Sequence, residues 1–241
     1  MGKYERVYQD LSTKIDNGTY SVGSLLPSEK QLTEHYGVSR ETARKALALL
    51  TNRGYIQKVM GKGSIVINRP QYALPVSFIA SYQELANISG FSFSSKVISC
   101  GEKVHHPPHI FESITPSFPA GPYHYLETVH YIDGEPSIID RNYILCSVVP
   151  SIPRNVAEES LFTYLEDTLG LAISYASKQI KIEPATIDDR ERLNLAAGEY
   201  VGVTTTVTSL EDTTTFQFTE SRHRADKFVY QDFARRQRFH H

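Results

Sequence analysis

Apolar residues recur at helical spacing near the start of the chain. Tyr4, Val7, Tyr8, Leu11 and Ile15 form one stripe, which predicts a helix ended by Asn17-Gly18. A second helix is predicted after Pro27, because Ser28 can cap it and Gln31 completes a capping box, with Gly37 as its stop. Only Val38 separates that stop from Ser39, the cap of a third helix. The third helix puts Ala43, Ala46, Leu47 and Leu50 on one face and ends at Gly54. So short a link between two helices is the pattern of a helix-turn-helix. Residues 55–58 and 64–67 then alternate as strands about Met60-Gly61-Lys62-Gly63, a glycine hairpin. The order describes a winged helix-turn-helix.

The pattern changes after residue 69. Pro70 and Pro75 disfavour both helix and central strand, so 70–77 reads as an extended linker between a domain at 1–69 and another at 78–241. A short helix is expected at 81–86. Residues 123–132 and 137–144 alternate about Asp133-Gly134, which suits a type I′ turn. A helix is predicted from Glu158 to Leu169, with Leu161, Phe162, Leu165 and Leu169 buried and Gly170 as stop. Residues 173–182 read as a strand, and Thr186 caps a short helix through Asn194 with Asp189 at the capping-box position. A last hairpin joins 200–210 to 215–224. Long antiparallel strands with few helices give an α+β class, with helices beside one sheet.

Charge sharpens this division. The 241-residue chain is 40% hydrophobic and carries a net charge of −2. Residues 1–69 hold 11 Lys+Arg against 6 Asp+Glu, a net of +5, and the rest hold 14 against 21, a net of −7. A basic head on an acidic body is expected when only the head meets a polyanion. No apolar run approaches the roughly 18 residues a membrane helix needs, and no signal peptide is read at the start, so a cytoplasmic protein is expected. Cys100 and Cys146 are too few and too far apart for a zinc site, and are expected as buried free thiols. His105, His106 and His109 fall in a stretch that reads as loop, and no histidine lies in an HExxH frame. Neither a Gly-x-Ser-x-Gly elbow, a P-loop nor a dinucleotide fingerprint occurs, so no enzyme, metal or cofactor is expected. The basic end, residues 235–241, is expected to fray.

Two stretches carry candidate chemistry. The first turn of the third helix presents Arg40, Glu41, Thr42 and Arg44, at the end with which recognition helices reach base edges. Lys62 at the wing adds a cation between glycines that let the backbone approach a groove. Glu41 can accept from a cytosine amino group or pair with Lys45, and the pairing is favoured. On 216–224, a regular pleat puts Phe216, Phe218, Glu220, Arg222 and Arg224 on one face. Aromatics beside a carboxylate and two guanidinium groups suit a phosphorylated polyhydroxyl ligand, whereas an internally paired charge ladder gives the same pattern.

Leu26-Pro27-Ser28-Glu29, Gly37-Val38-Ser39-Arg40 and Gly61-Lys62-Gly63-Ser64 resemble the N-terminal domain of GntR-type bacterial repressors. By that resemblance Lys30, Ser39, Arg40, Thr42 and Arg44, with Gly61, Lys62 and Gly63 at the wing, stand at DNA-contacting positions. Residues 81–86, Asp133-Gly134-Glu135-Pro136 and 216–234 are similar to the effector domain of the HutC-type branch, whose fold is chorismate-lyase-like without the activity. Residues 53–58, 169–176 and 216–228 narrow the likeness to repressors of sugar utilisation in Gram-positive bacteria. The resemblance implies a homodimeric repressor on a palindromic operator, released by a sugar phosphate, with trehalose-6-phosphate expected. An amino-sugar phosphate is the alternative effector, and a small-acid lyase-like enzyme the alternative class. Ser81, His130, Arg141, Glu220, Arg222 and Arg224 are the expected effector-binding residues. Relatives carry an Arg-x-Arg pair where this chain has Thr128 and His130.

Overall fold

The computed structural model describes residues 2–67, 74, 75, 86 and 92–231. Contacts divide the chain into two compact units, the second being Leu74–Tyr230. Of the helix expected at 81–86 only Ala86 is described, and most of the 70–77 linker and the basic end also lie outside the described residues.

The first unit forms three helices and a wing, as the capping residues require. α1 (Lys3–Asp16) buries Val7 and Leu11, while Tyr4 at the end of its stripe stays exposed. α2 (Glu29–Tyr36) has the Ser28–Gln31 capping box, and Gly37 closes it in the left-handed region at φ 61°. α3 (Arg40–Asn52) starts from Ser39, whose Oγ accepts from the Thr42 amide at 3.1 Å. Ala43 and Ala46 are fully buried, and with Leu11, Leu32 and Leu50 they make one core. Each large aliphatic side chain removed from water there contributes about 1.5–3 kcal/mol. β1 (Ile56–Val59) and β2 (Gly63–Val66) pair antiparallel as the wing, and Ile56 and Val66 tie it to that core.

The second unit is built on a six-stranded antiparallel sheet. A short strand, β3 (Leu74–Pro75), lies apart from it, paired with β10 (Tyr230–Gln231). The sheet runs in the order β4 (Phe93–Val104), β5 (Tyr123–Ile132), β6 (Glu135–Leu145), β9 (Thr215–Arg224), β8 (Tyr200–Leu210) and β7 (Ile173–Pro184). β5 (Tyr123–Ile132) and β6 (Glu135–Leu145) form the expected hairpin, and Asp133 and Gly134 both take positive φ at its tip. β8 (Tyr200–Leu210) and β9 (Thr215–Arg224) have the bounds expected, and β7 (Ile173–Pro184) runs two residues further than its pattern indicated.

Two elements differ from the sequence reading. β4 (Phe93–Val104) was not expected; it is an edge strand whose alternation is broken by register shifts at Val97/Ser99 and Cys100/Glu102. The helix expected from 158 to 169 starts earlier, as α4 (Arg154–Glu159), and breaks at Ser160, where the backbone is extended at φ −153°. Ser160 then caps a separate turn that continues through Thr168 in a wider spiral. Leu165 is its one fully buried side chain, while Leu161, Phe162 and Leu169 are half-buried. Cys100 and Cys146 are free but half-buried rather than fully buried.

Each face of the sheet is covered differently. One face buries Phe216, Phe218 and Tyr143 beneath the short helix His109–Ser113, and further along packs Val201 and Val203 against Leu193 of α5 (Ile187–Leu193). The opposite face carries Thr128, His130, Asp140, Asn142, Gln217 and Ser221, all polar and all buried. No described helix is long and apolar enough to cross a membrane.

Candidate functional site

In the first unit the expected DNA contacts collect at the start of α3, the start of α2 and the wing tip. Arg40 is exposed at the first helical position, and Thr42 is half-buried beside Ser39, their hydroxyls 2.9 Å apart. Those hydroxyls and the unbonded amides of the first turn make an anion-accepting corner. Glu41 pairs with Arg44 three residues on, not with Lys45 as expected. That exposed pair gives way readily to a phosphate, because surface ion pairs are worth little. Lys30 lies 3.9 Å from Glu34, an equally exposed contact. At the wing Gly61 (φ 77°) and Gly63 (φ 104°) take backbone conformations that a side chain would strain, and Lys62 stands exposed between them. A cleft between Ser28, Lys30 and Gln31 on one wall and Lys58 and Lys62 on the other joins these cations.

The expected effector residues divide between the two faces of the second unit. Glu220, Arg222 and Arg141 meet on the face that carries Phe216 and Phe218, and each of these charges already has protein partners. Arg141 bonds Glu127 at 3.1 Å, Glu220 at 3.2 Å and Asp188 at 2.5 Å. Arg222 grips Asp189 with two bonds, Nε to Oδ1 at 2.8 Å and a terminal nitrogen to Oδ2 at 2.9 Å, and also reaches Glu220 at 3.0 Å. Burial disfavours charge on Arg141 and Arg222, but the facing carboxylates outweigh it and raise both above the usual arginine value. Burial likewise works against the Asp189 carboxylate, yet bonds from Arg222 and from the Thr186 amide and hydroxyl hold it below its usual range. The cluster therefore clamps α5 to the sheet. Arg224 is separate, paired with Asp226 at 2.8 Å. Ser81 lies outside the described residues.

His130 is on the other face, at a small cavity of about 100 Å³. Phe93, Leu126, Leu161 and Phe162 supply apolar walls, and Ser95, Thr128, Asp140, Asn142, Gln217 and Thr219 supply polar ones. The His130 ring is fixed at both nitrogens, by Ser95 Oγ at 2.8 Å on Nδ1 and Asp140 Oδ2 at 3.1 Å on Nε2. Phe93 stacks on it, ring centres 5.3 Å apart. Burial works against the Asp140 carboxylate, but the neighbouring His130 lowers it below its usual range. Gln217 Nε2 donates to Asn142 Oδ1 at 3.0 Å, and the Thr219 hydroxyl donates to the same oxygen at 2.7 Å. Sequence reasoning missed Asp140, Asn142, Gln217 and Thr219. Their signal is the polar half of strands whose other half is apolar, as in Gln217 and Thr219 alternating with Phe216 and Phe218. Among the described residues no group of three or more His, Cys, Asp or Glu could hold a metal ion.

A winged helix-turn-helix carried on one chain with a pocketed sheet defines a ligand-responsive DNA-binding regulator. The chain belongs to the gntR family of bacterial regulatory proteins, whose model matches residues 3–66, in the branch with a UTRA domain, matched over residues 89–229. It is a transcriptional regulator and not an enzyme. It is 41% identical over 238 residues to the HTH-type transcriptional regulator TreR of Bacillus subtilis, covering 98% of each chain. The crystal structure of the possible transcriptional regulator YydK from the same organism shares the fold, with a TM-score of 0.79 at 24% identity over 98% of this chain and 100% of that one. The effector binding domain of the B. subtilis trehalose repressor (TreR) matches 60% of this chain and 99% of its own, at 37% identity and a TM-score of 0.51.

Proposed function

We propose that this regulator is a cytoplasmic homodimeric repressor of a sugar-utilisation operon, released from a palindromic operator by trehalose-6-phosphate. The observation that carries the reading is the 41% identity to TreR along both chains, which takes in the DNA domain and the effector domain alike. The domains are taken as 1–69 and 78–241, joined by 70–77.

Two copies present two α3 helices to half-sites related by the dimer axis, with Arg40, Thr42 and Arg44 toward the bases and Ser39, Lys30 and the wing glycines with Lys62 toward phosphates. The effector enters the cavity beside His130, where Thr128, Asp140, Asn142, Gln217 and Thr219 offer partners for sugar hydroxyls. Release follows only if the bound form of the dimer no longer fits successive half-sites, since a ligand shifts an equilibrium by its differential affinity alone. The Arg141–Glu220–Arg222 cluster keeps α5 in place and stands apart from the ligand.

A thermal-shift screen of trehalose-6-phosphate, trehalose, glucose-6-phosphate and glucosamine-6-phosphate tests this. The effector raises stability with concentration, by about 2.7 kcal/mol at a hundred times its dissociation constant. A response to none of the four would remove the sugar-sensor reading.

A further inference from the structure

The two edges of the six-stranded sheet are built differently. β4, at one edge, is broken by register shifts at Val97/Ser99 and Cys100/Glu102, an irregularity that keeps an exposed edge from pairing with another chain. β7, at the other, pairs with β8 in unbroken register from Ala176 to Pro184, and no described strand pairs with its outer side. Ala185 donates its amide to the Glu199 carbonyl at 2.9 Å, on the β8 side. Alternation therefore turns the backbone groups of Ile180, Ile182 and Pro184 outward, and proline on an edge has no amide to leave unpaired.

Exposed apolar side chains gather at the same edge. Ile182 is 62% exposed, Tyr200 53% and Ile180 36%. Pro184 stands opposite Tyr200, and Ile180 shares a row with Thr204, Ser221 and Asp140, so the apolar patch lies on the face that carries His130. The other face of β7 carries Lys181, exposed and without an ion pair among the described residues, and Glu183, which accepts from Arg222 at 3.3 Å.

A lone lysine on an edge repels a second strand. A lysine and a carboxylate two residues apart instead select one arrangement. When two copies of β7 lie antiparallel about a two-fold axis through Ile182, Lys181 stands opposite the partner's Glu183 and Ile180 opposite the partner's Pro184. Ile182 meets the partner's Ile182 on the axis. Outward-facing backbone groups then meet outward-facing ones, so hydrogen bonds can close between the strands. Sliding one strand by two residues either way sets like charges opposite each other, Lys181 on the partner's Lys181 or Glu183 on the partner's Glu183.

We propose that β7 is the dimer surface, where two copies of the chain join their sheets edge to edge, antiparallel, with Ile182 on the two-fold axis. This rests on the homodimer of the preceding reading and assigns the surface that makes it. A two-fold contact needs a self-complementary patch, and β7 is self-complementary in its backbone, apolar and charged groups together.

Analytical ultracentrifugation of the full chain over a dilution series tests this. Wild type sediments as a dimer. Ile182→Lys, which sets two cations together on the axis, weakens association by about a hundredfold or more, and Lys181→Glu, which faces the partner's Glu183, by about tenfold or more. Both side chains are exposed, so circular dichroism keeps its native shape. Mixing Lys181→Glu chains with Glu183→Lys chains restores opposite charges at both positions and brings association back toward wild type. If Glu183→Lys fails to fold, the two exposed variants decide alone. Wild-type association in both of them overturns the proposal, as does a mixture no tighter than its separate components. Either result leaves the repressor reading standing, with the dimer contact elsewhere. A wild type that stays monomeric both free and on operator DNA removes the homodimer reading as well.

Discussion

Arg222 separates a structural ion cluster from a ligand clamp, and its removal has a calculable consequence. Its side chain is 5% exposed and Asp189 is fully buried, joined by two bonds at 2.8 and 2.9 Å. Arg222→Ala leaves the Asp189 carboxylate in the interior without its main counter-charge, while Glu220 keeps its bond from Arg141. Breaking a buried pair from one side costs about 3–5 kcal/mol, a large part of the roughly 5–15 kcal/mol that holds a domain folded. Much of that cost is the stranded carboxylate rather than the lost attraction. Arg222→Met combined with Asp189→Asn is therefore more stable than Arg222→Met alone, since Asn keeps the oxygen that accepts from the Thr186 amide at 2.8 Å while removing the charge. Chemical denaturation with and without trehalose-6-phosphate measures both effects. The expected result is a large loss of stability in Arg222→Ala with the ligand increment preserved, because the cavity lies on the opposite face of the sheet. Unaltered stability with abolished effector binding would show that the guanidinium serves the ligand, and would refute the structural reading.

Arg40→Ala should abolish preference for the operator over random DNA, at about 1–3 kcal/mol of discrimination, whereas Lys62→Ala should weaken binding to all sequences and flatten its salt dependence in a titration by fluorescence anisotropy. His223 gives an acid sensitivity: burial, aided by His130, pushes it down to about 4 despite the opposing pull of Asp140. Its unfolded form binds a proton near 6.5 and its folded form does not, so stability is full above that value and falls as pH drops toward 4, by about 3 kcal/mol at 1.36 kcal/mol per unit. Unfolding curves at pH 7 and pH 4.5 check this, and His223→Asn should reduce the difference. Gly202→Ala should destabilise by about 1–3 kcal/mol, because the added methyl would fall 2.5 Å from the Phe228 ring, and thermal melts read the loss.

The DNA-binding half was legible because its signals are local. Ser28 with Gln31, Gly37 and Ser39 fix helix boundaries through bonds three residues apart, and no distant contact has to be guessed. The β5–β6 and β8–β9 hairpins were readable for a similar reason, since Asp133-Gly134 and Glu211-Asp212 mark turns between alternating runs. β4 was missed because edge strands carry polar residues and its two bulges destroy the period. The break at Ser160 was hidden by Leu161, Leu165 and Leu169, whose spacing mimics one continuous helix. Alternation did reveal that Phe216, Phe218, Glu220 and Arg222 share a face, but not which face encloses a cavity. Charges drew the sequence reading to that face. The cavity is instead lined by Thr, Asn, Gln and His, which look like ordinary strand surface until α4 and the turn after it cover them.

The most direct test of the account is the release of operator DNA by sugar. A fluorescent palindromic operator, selected with the full-length protein, is bound near its dissociation constant and titrated with trehalose-6-phosphate, with glucosamine-6-phosphate in parallel. The account requires anisotropy to fall to the free-DNA value with trehalose-6-phosphate and to hold with the amino-sugar phosphate. Unchanged anisotropy at saturating trehalose-6-phosphate, or release by glucosamine-6-phosphate in its place, would contradict it.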